Sequence, residues 1–301
     1  MSILVVGTVA LDSVTTPGGE AREVLGGSAS YFACAAANFA PVRLVSVVGG
    51  DFPPAFRKKM AGRDIDFAGL QVVETGATFR WWGRYGKNLK EATTVSVDLN
   101  VTAGYHPRLP EHYRRTPYVF LANIAPSVQK ETLAQMEAPM LTICDTMNHW
   151  LETRRDEFLE VLGQVDIMLI NDEEARALTG ENHLVRAGEA ILARGPRAAV
   201  IKKGEHGAML FTGPGRIFLV PAFPTTRVVD PTGAGDSFGG GFAGCLAAGG
   251  DHSEPALRRA TAYGVVTASF TVEDFSTTGL EKAGRREIEE RYRLLRGMTS
   301  F

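Results

Sequence analysis

Short apolar segments alternate with segments of helical character along most of the chain. The apolar segments are bounded by turn residues and are hydrophobic at nearly every position, as strands buried on both faces of a sheet are. These predicted strands cover residues 3–7, 43–48, 118–122, 141–144, 167–170 and 198–201, and a hairpin of 207–211 and 216–220 follows. The predicted helices cover residues 28–39, 128–136, 152–162, 172–179, 184–193 and 281–296. Such βαβ alternation predicts an α/β fold with helices on both faces of a mostly parallel sheet.

Two regions depart from this alternation. Residues 71–100 show no helical period, and the alternating, β-prone stretch at 92–99 predicts strands of a small sheet outside the main one. Residues 13–25 are a second candidate contribution to that sheet. A chain of 301 residues can bury one large core, so we predict a single domain over residues 1–301 that carries this insertion.

Composition and charge narrow the range of partners. The net charge of −2 and the isoelectric point near 6.3 give no broad basic surface for nucleic acid or anionic lipid, so small polar metabolites are the expected ligands. Cys34, Cys144 and Cys245 lie far apart in apolar surroundings without zinc-ligand spacing, which indicates buried thiols in a reducing compartment. The short apolar N-terminus lacks a basic signal region, and no run reaches the ~20 apolar residues of a membrane span. We therefore expect a cytoplasmic protein without a membrane partner.

The most informative segment is residues 230–242, Asp-Pro-Thr-Gly-Ala-Gly-Asp-Ser-Phe-Gly-Gly-Gly-Phe, which places a glycine-rich turn and a carboxylate directly before a helix. The turn Gly233-Ala234-Gly235 lets backbone N–H groups converge on a phosphate, and the N-terminus of the helix adds partial positive charge. Asp236 follows at a place where a general base is useful. An ordinary strand-to-helix turn with an aspartate cap is the alternative interpretation.

Two further motifs follow buried strands at the carboxyl edge of the predicted sheet, where α/β proteins bind ligands. Asn171 and Glu174 come directly after one strand, and helix capping is the alternative interpretation of this pair. Lys202, Gly204 and Gly207 follow the next strand. The glycines permit close approach of the backbone, and the lysine offers a point charge to phosphate. A hairpin turn with solvated lysines is the alternative there.

Together these motifs resemble those of the ribokinase-like (PfkB) carbohydrate kinase family. Residues 230–236 match its late signature, residues 202–207 its nucleotide-side pattern, and Gly26-Gly27 before a helix of small residues its first signature. The resemblance covers nearly the whole chain. It implies a ribokinase-like three-layer α/β/α sandwich with a mostly parallel central sheet, in which the small sheet forms a β lid over the substrate.

The resemblance also implies the chemistry. Asp236 deprotonates a substrate hydroxyl, the amides of the turn 233–235 form an anion hole, and ATP supplies the phosphoryl group. Mg²⁺ is held around the phosphates with Glu174 acting through water, and Asp230 is a candidate ligand of a monovalent cation such as K⁺. The ATP-binding residues that it implies are Asn171, Lys202, Gly204, Gly207 and Thr232, and the substrate-binding residues are Asp12, Gly26, Gly27 and Tyr31.

Three positions bear on which acceptor the site takes. Asp12 stands where the family binds sugar hydroxyls, and a carboxylate can accept hydrogen bonds from two of them, although a turn residue at a strand end is the alternative interpretation. Tyr31 stands where ribokinase-type sugar kinases usually have Asn. Residues 145–150 lack the Arg of the family's D-x-N-x-R pattern. A site without that Arg should be less suited to a sugar acid or a phosphosugar.

Trp81, Trp82 and Tyr85 cluster in the predicted lid. An aromatic wall there would offer a flat apolar surface to a sugar ring or a nucleobase, and Trp82 is the substrate contact that we predict. Alternatively, the rings pack lid against lid in a homodimer, since an exposed sheet edge would need cover, or they cover the edge of the domain.

We therefore predict an ATP-dependent kinase that transfers the γ-phosphoryl group to a hydroxyl of a small sugar or polyol. A nucleoside kinase of the same fold is the alternative, which the aromatic cluster and Tyr31 favour. A non-catalytic nucleotide sensor is the second alternative. No G-x-G-x-x-G follows the first strand and the P-loop pattern is absent, which argues against a dinucleotide oxidoreductase.

Overall fold

The structure is a computed structural model that describes residues 1–90 and 92–300. Its strands are β1 (Ile3–Val6), β2 (Ala10–Thr16), β3 (Gly19–Gly26), β4 (Val42–Gly49), β5 (Ile65–Val73), β6 (Phe79–Tyr85), β7 (Ala92–Asp98), β8 (Tyr118–Leu121), β9 (Leu141–Cys144), β10 (Ile167–Asn171), β11 (Ala198–Lys202), β12 (Ala208–Gly213) and β13 (Arg216–Val220). Its α-helices are α1 (Ser28–Ala36), α2 (Pro54–Ala61), α3 (Pro126–Ala134), α4 (Asn148–Thr153), α5 (Arg155–Leu162), α6 (Asp172–Thr179), α7 (Leu184–Leu192), α8 (Ala234–Gly249), α9 (Glu254–Thr271), α10 (Thr278–Lys282) and α11 (Arg285–Met298).

Within the described residues, nine strands form one sheet in the order β13-β12-β11-β10-β9-β8-β1-β4-β5. All neighbouring pairs from β11 to β5 are parallel, and the hairpin of β12 and β13 adds two antiparallel strands at one edge. Successive side chains of a strand point to opposite faces, so Ile3 and Leu4 of β1 pack into two different hydrophobic cores. Helices α1, α8 and α9 contribute to the first core, and α5, α6 and α7 contribute to the second. The predicted three-layer α/β/α sandwich is confirmed.

The remaining strands of the described chain form a smaller sheet in the order β3-β2-β6-β7. β2 pairs with β3 and β6 pairs with β7 in antiparallel fashion, whereas β2 and β6 are parallel. Residues 13–25 and 71–100 therefore both contribute to this sheet. One part of the prediction is wrong: residues 71–73 lie in the main sheet, because β5 continues its pairing with β4 as far as Val73 opposite Gly49.

The predicted elements of the main layers agree with the structure to within a few residues. β9 and α6 begin and end where the sequence predicts. The predicted helix 152–162 is divided into α4 and α5 at Arg154, whose φ of −141° and ψ of 36° leave the helical region. The predicted helix 281–296 is divided as well, because α11 begins after Gly284, whose N–H donates to Oε2 of Glu287 at 2.9 Å.

The three cysteines, Cys34, Cys144 and Cys245, are free thiols, and all are buried as predicted. No helix within residues 1–90 or 92–300 combines the length and apolar character needed to span a lipid bilayer.

Candidate active site

The carboxyl ends of three neighbouring strands bring polar side chains together beside the N-terminus of α8. Asp145 directly follows β9, Asn171 ends β10 and Lys202 ends β11. Asn171 and Lys202 lie opposite each other in the parallel register of their strands. Because parallel strands end at one edge of a sheet, the main sheet delivers a carboxylate, an amide and an ammonium to one place.

Helix α8 begins with a backbone turn that favours glycine. Gly233 is the N-cap residue, and its φ of 74° and ψ of 3° lie in the left-handed region. A Cβ on Gly233 would lie 2.3 Å from Cγ of Tyr31, so the tyrosine ring packs directly on the turn. Asp236 follows in the first turn of α8. The glycine turn, the helix start and the carboxylate thus occur together, as the sequence indicates.

Lys202 and Asp145 form a buried ion pair next to this turn. Nζ of Lys202 donates to Oδ2 of Asp145 at 2.6 Å, and the two side chains are only 15% and 4% exposed. The ammonium also lies 3.2 Å from the position that a Cβ of Gly235 would occupy, so it contacts the first turn of α8. Although burial alone would lower it, the pKa of Lys202 is raised by the carboxylates of Asp145 and Glu174, which keep the ammonium charged.

Burial changes the proton affinity of the carboxylates around that pair. It raises the pKa of Asp236 to about 7, and the negative charge of Asp145 adds to this increase while Lys202 opposes it. Burial also raises the pKa of Glu174 well above its ordinary value, against the opposing influence of Lys202. A carboxylate whose pKa lies near neutrality is suited to exchange protons at physiological pH, as a general base must.

Asn171 and Glu174 form a capping box at the start of α6. Oδ1 of Asn171 accepts from the N–H of Glu174 at 2.8 Å, and Oε2 of Glu174 accepts from the N–H of Asn171 at 2.9 Å. The interpretation of this motif as helix capping is therefore confirmed. The Glu174 side chain is nevertheless buried within electrostatic range of Lys202, Asp145 and Asp236. The same residue thus caps a helix and belongs to the charge cluster.

Asp12 faces this cluster from the small sheet. It lies in β2, is 4% exposed, and its Oδ2 accepts from the N–H of Gly27 at 3.3 Å. A Cβ on Gly26 would lie 1.9 Å from the same oxygen, so this position requires glycine. Burial raises the pKa of Asp12 to about 7, the N–H of Gly27 opposes the increase, and the charges of Asp230 and Asp236 add to it. The carboxylate of Asp12 on the small sheet and that of Asp236 at the start of α8 therefore share one site.

Tyr31 lies near the carboxylates of Asp12, Asp230 and Asp236. Its ring contacts Gly233, its side chain is 1% exposed, and its hydroxyl has no hydrogen-bond partner among the described residues. Burial holds the pKa of Tyr31 well above its usual value, and the charges of Asp12, Asp230 and Asp236 act in the same direction. A buried hydroxyl without a partner is unfavourable, and a polar ligand in the site would satisfy it.

The loop before α8 is tied to the small sheet. Oγ1 of Thr232 donates to the hydroxyl of Tyr85 in β6 at 3.3 Å. The N–H of Thr232 donates to Oδ1 of Asp230 at 2.9 Å, whereas Oδ2 of Asp230 is buried and lacks a partner in the described part of the chain. Burial raises the pKa of Asp230.

Lys202 is followed by a tight turn that leads into the antiparallel strand β12. Gly204 begins a 3₁₀ turn (Gly204–His206) at a φ of 54°, and no described heavy atom lies within 4 Å of the position of a Cβ there. Gly207 has a φ of 80°, and a Cβ there would lie 2.0 Å from the carbonyl oxygen of Val220. The hairpin turn is therefore confirmed, but the solvated lysines of that interpretation are not, because Lys202 is buried in its ion pair with Asp145. Packing against β13 requires Gly207, whereas Gly204 faces open space.

Strand register places the aromatic residues of β6 on two faces of the small sheet. In the parallel pair of β2 and β6, Asp12 lies beside Trp81 and Ser13 lies beside Trp82. Residues paired across strands share a face, so Trp81 is on the face of Asp12 and Trp82 is on the opposite face. The Trp82 ring lies near the guanidinium of Arg22, 5.3 Å from the ring centroid. The structure does not bring Trp82 into the site, which corrects its prediction as the substrate contact.

Trp81 has room on the face of the small sheet that carries Asp12, because residue 83 is glycine. A Cβ on Gly83 would lie 2.1 Å from Cη2 of Trp81, so the indole ring lies across this glycine. Nε1 of Trp81 donates to Oγ1 of Thr94 at 3.2 Å, which fixes the ring. A flat, half-buried indole therefore lies on the face of the small sheet that carries Asp12. The sequence did carry a signal for this: side chains alternate between the two faces of a strand, which places Trp81 and Tyr85 on one face of β6 and Trp82 on the other.

The chain as a whole matches a known family. The model of the pfkB family of carbohydrate kinases matches residues 2–283. The chain belongs to the pfkB family. A cytidine kinase of Thermococcus kodakarensis is 30% identical over 247 residues, which are 80% of this chain and 87% of that protein. As a pfkB kinase, the protein is an ATP-dependent phosphotransferase that belongs with the sugar and nucleoside kinases. The predicted enzyme class is therefore confirmed.

Two solved structures share this fold. The nucleoside kinase of Methanocaldococcus jannaschii has a TM-score of 0.78 at 21% identity, covering 97% of this pfkB kinase and 98% of its own chain. An E. coli protein assigned as ribokinase II, in complex with ATP and Mg²⁺, has a TM-score of 0.79 at 20% identity, covering 97% and 99%. The predicted ribokinase-like fold is confirmed.

Asp145 is the residue of this pfkB site that the sequence did not single out. The sequence drew attention only to the departure of residues 145–150 from the family's D-x-N-x-R pattern. Its position directly after a buried strand was an available signal, because Asn171 and Lys202 have the same relation to their strands.

Proposed function

We propose that this kinase transfers the γ-phosphoryl group of ATP to a hydroxyl of a nucleoside, with Asp236 as the general base. One observation supports the base assignment above others: Asp236 lies half-buried in the first turn of α8, desolvation raises its pKa to about 7, and Lys202 and Asp12 are within electrostatic range. Asp236 accepts the hydroxyl proton as the substrate oxygen bonds to the γ-phosphorus. The bond from that phosphorus to the bridging oxygen breaks, and ADP leaves.

Positioning and charge stabilisation would supply most of the rate acceleration, as in other phosphoryl transfers. The amides of Gly233, Ala234 and Gly235 lie at the positive end of α8 and form the anion hole. The ammonium of Lys202 adds a full positive charge beside them. The remaining nucleotide contacts in the proposal come from loops at this edge of the sheet: Asn171, Gly204, Gly207 and Thr232.

The residues of the site fit an Mg²⁺ ion that is held chiefly by phosphate and water. Mg²⁺ prefers oxygen ligands and keeps several waters, and Glu174 offers a buried carboxylate within range of Asp236. Among the described residues, no group of three or more His, Cys, Asp or Glu side chains forms a metal site by itself. Glu174 would hold Mg²⁺ through a water molecule, and the ion would supply positive charge to offset that of the phosphates.

A nucleoside is favoured over a simple sugar or polyol by Trp81 and by one of the relatives. The carboxylate of Asp12 suits the paired hydroxyls of a ribose, and the indole of Trp81 on the same face suits a base. The relative that is 30% identical over 80% of this chain is a cytidine kinase. The sequence alone placed sugars and polyols first. Sugars and polyols remain the second candidate, because Asp12 would suit their hydroxyls equally well.

Mg²⁺-dependent release of ADP, measured across nucleosides, pentoses, hexoses and inositols, tests the proposal. Selective turnover of nucleosides would support it. Turnover of pentoses, hexoses or inositols alone would transfer the assignment to the second candidate. ATP binding without turnover of any acceptor would favour a nucleotide sensor and would contradict the role of Asp236.

Trp81→Ala is expected to raise the KM for the nucleoside about 5- to 150-fold, because stacking of one base contributes about 1–3 kcal/mol. Trp82→Ala is the matched control: it removes an indole from the opposite face of the same strand and should change KM no more than about 2-fold. Steady-state kinetics with a nucleoside and with ribose provide the measurement. Equal effects of the two substitutions, or an equal loss with ribose, would contradict base stacking on Trp81.

Asp230 fits a site for a monovalent cation. Its Oδ2 is buried without a partner among the described residues, while Oδ1 is already used by Thr232. The proposal includes K⁺ at this oxygen, where the cation would offset a buried negative charge next to the turn 233–235. Rates in K⁺, Na⁺ and tetramethylammonium buffers of equal ionic strength test this point, and identical rates would contradict it.

The small sheet fits the roles of a lid and of a dimer contact in the proposed single domain. It carries Asp12 and Trp81 on one face, and closure over the substrate would exclude water. In the described chain, β7 is an outer strand of this sheet. Such an edge needs cover, and the proposal is that a second copy of the chain provides it. Sedimentation analysis should then show a dimer; a monomer would contradict it.

A further inference from the structure

We infer that Asp145 is a positioning residue that holds the Lys202 ammonium against the first turn of α8 and away from the general base. The inference rests on the proposed role of Asp236. Asp145, Glu174 and Asp236 all lie within electrostatic range of this one ammonium. Among the described residues, Asp145 is the one that receives its hydrogen bond, at 2.6 Å.

Asp145 is itself held firmly in place. Its Oδ1 accepts from the N–H of Thr146 at 2.9 Å. Its backbone N–H donates to the carbonyl of Leu121 at 2.9 Å, and its carbonyl accepts from Nε2 of Gln129 at 3.1 Å. The buried Gln129 also donates to the carbonyl of Ala122 at 3.0 Å. A carboxylate fixed at both oxygens and along its backbone holds an ammonium in one geometry.

Lys202 reaches past the end of an intervening strand to make this pair. β10 lies between β9, which Asp145 follows, and β11, which Lys202 ends. The ammonium consequently stops beside Gly235, within the turn proposed as the anion hole. A cation fixed there stabilises the negative charge that develops on the transferred phosphoryl group.

Without Asp145, the ammonium would pair with one of the other two carboxylates. An opposite charge at close range lowers the pKa of a carboxylate by about 1–3, and an ion pair with Asp236 would also occupy the oxygen that must accept the substrate proton. Asp145 thus keeps the base free and leaves the cation beside the phosphoryl group. The titratable groups that act on Asp236 or are acted on by it are Asp145, Lys202, Glu174, Asp12, Tyr31 and Tyr85.

Asp145→Asn tests the inference in the full-length protein with ATP, Mg²⁺ and cytidine, or the accepted member of the acceptor panel. We expect kcat to fall about 10- to 100-fold. We also expect the acidic limb of the profile of kcat/KM against pH to move about 1 pH unit lower, because Asp236 loses a like charge and gains the freed ammonium. A merely structural role would lower the rate without moving that limb.

Asp166→Asn is the matched control, since it makes the same change at the opposite end of the same sheet. Oδ2 of Asp166 accepts from the N–H of Thr142 at 2.8 Å, so the control also removes a carboxylate from a strand end. Its kcat and its acidic limb are expected to match those of the wild type. An acidic limb of Asp145→Asn at the wild-type pH, or a change confined to the KM for ATP, would overturn the inference.

Lys202→Met supplies a second measurement with the opposite sign. The substitution removes the cation and leaves Asp145, so the acidic limb should move to higher pH. This measurement does not depend on Asp145→Asn being folded. In the double variant no ammonium remains to pair with the base, so its limb should lie above that of Asp145→Asn. Shifts of both single variants in the same direction would overturn the inference. A wild-type rate of Asp236→Asn would instead show that the proposed base is wrong.

Discussion

Replacement of Asp236 by Asn is expected to lower kcat about 10²- to 10⁴-fold, because the substrate hydroxyl loses the group that removes its proton. The KM for ATP should change little, since the anion-hole amides and Lys202 are retained. Mg²⁺-dependent ADP release by wild type and variant, with nucleotide binding measured in parallel, provides the test. A variant with near wild-type turnover would contradict the assignment of the base.

The same substitution should make the folded protein more stable at alkaline pH. Burial raises the pKa of Asp236 from its ordinary value of 3.8 to about 7, so the folded state binds this proton more tightly than the unfolded chain does. The stability that results is fully present below about pH 4 and is lost as the pH rises through about 7. Asn at this position has no proton to lose. Urea denaturation at pH 8 should therefore show a gain of up to about 4 kcal/mol, which shrinks toward pH 5.

Asp51→Asn is a control of opposite sign for this titration. Although burial opposes it, the hydrogen bonds from Thr78 and the charge of Arg80 lower the pKa of Asp51. Its contribution to stability is present above the unfolded pKa and is lost as the pH falls, so Asp51→Asn should destabilise the protein at pH 8. Lost activity of Asp236→Asn combined with lost stability at pH 8 would point to unfolding rather than to a missing base.

The parts of the structure that were predictable from the sequence are those that local patterns determine. β9 lies within a short apolar run, and α6 starts at a capping box and ends at Gly180, which has a φ of 77°. The glycine turn before α8 was equally visible, because a left-handed backbone and a close contact leave few alternatives to Gly233. Such features depend on residues that are near one another in the chain.

The parts that were not predictable depend on register and on side chains that meet across the fold. Whether Trp81 or Trp82 faces the site is decided by the pairing of β6 with β2, which are distant in sequence. The ion pair of Asp145 and Lys202 joins residues that are 57 positions apart. The pattern of residues 145–150 indicated only that an Arg of a known motif was missing. The pairing of Asp145 with Lys202, two strands away, leaves no pattern in the sequence around either residue.

Gly233→Ala is expected to cost about 2–5 kcal/mol of folding free energy and most of the activity. A left-handed backbone costs a non-glycine residue about 1–2 kcal/mol, and the new methyl group would lie 2.3 Å from the ring of Tyr31, where overpacking costs about 1–3 kcal/mol more. Relief of that contact must move either Tyr31 or the turn, and both lie beside Asp236. Urea denaturation and ADP release measure the two effects.

Gly180→Ala separates the backbone contribution from the steric one. Gly180 has nearly the same backbone conformation, with a φ of 77° and a ψ of 5°, but no described heavy atom lies within 4 Å of the position of its Cβ. This variant should therefore lose only about 1–2 kcal/mol and keep full turnover. If Gly233→Ala were no worse than Gly180→Ala in both measurements, the contact between Tyr31 and the turn would not be what positions Asp236. If Gly233→Ala lowers turnover while the protein is still folded in the assay, this contact sets the geometry of the base.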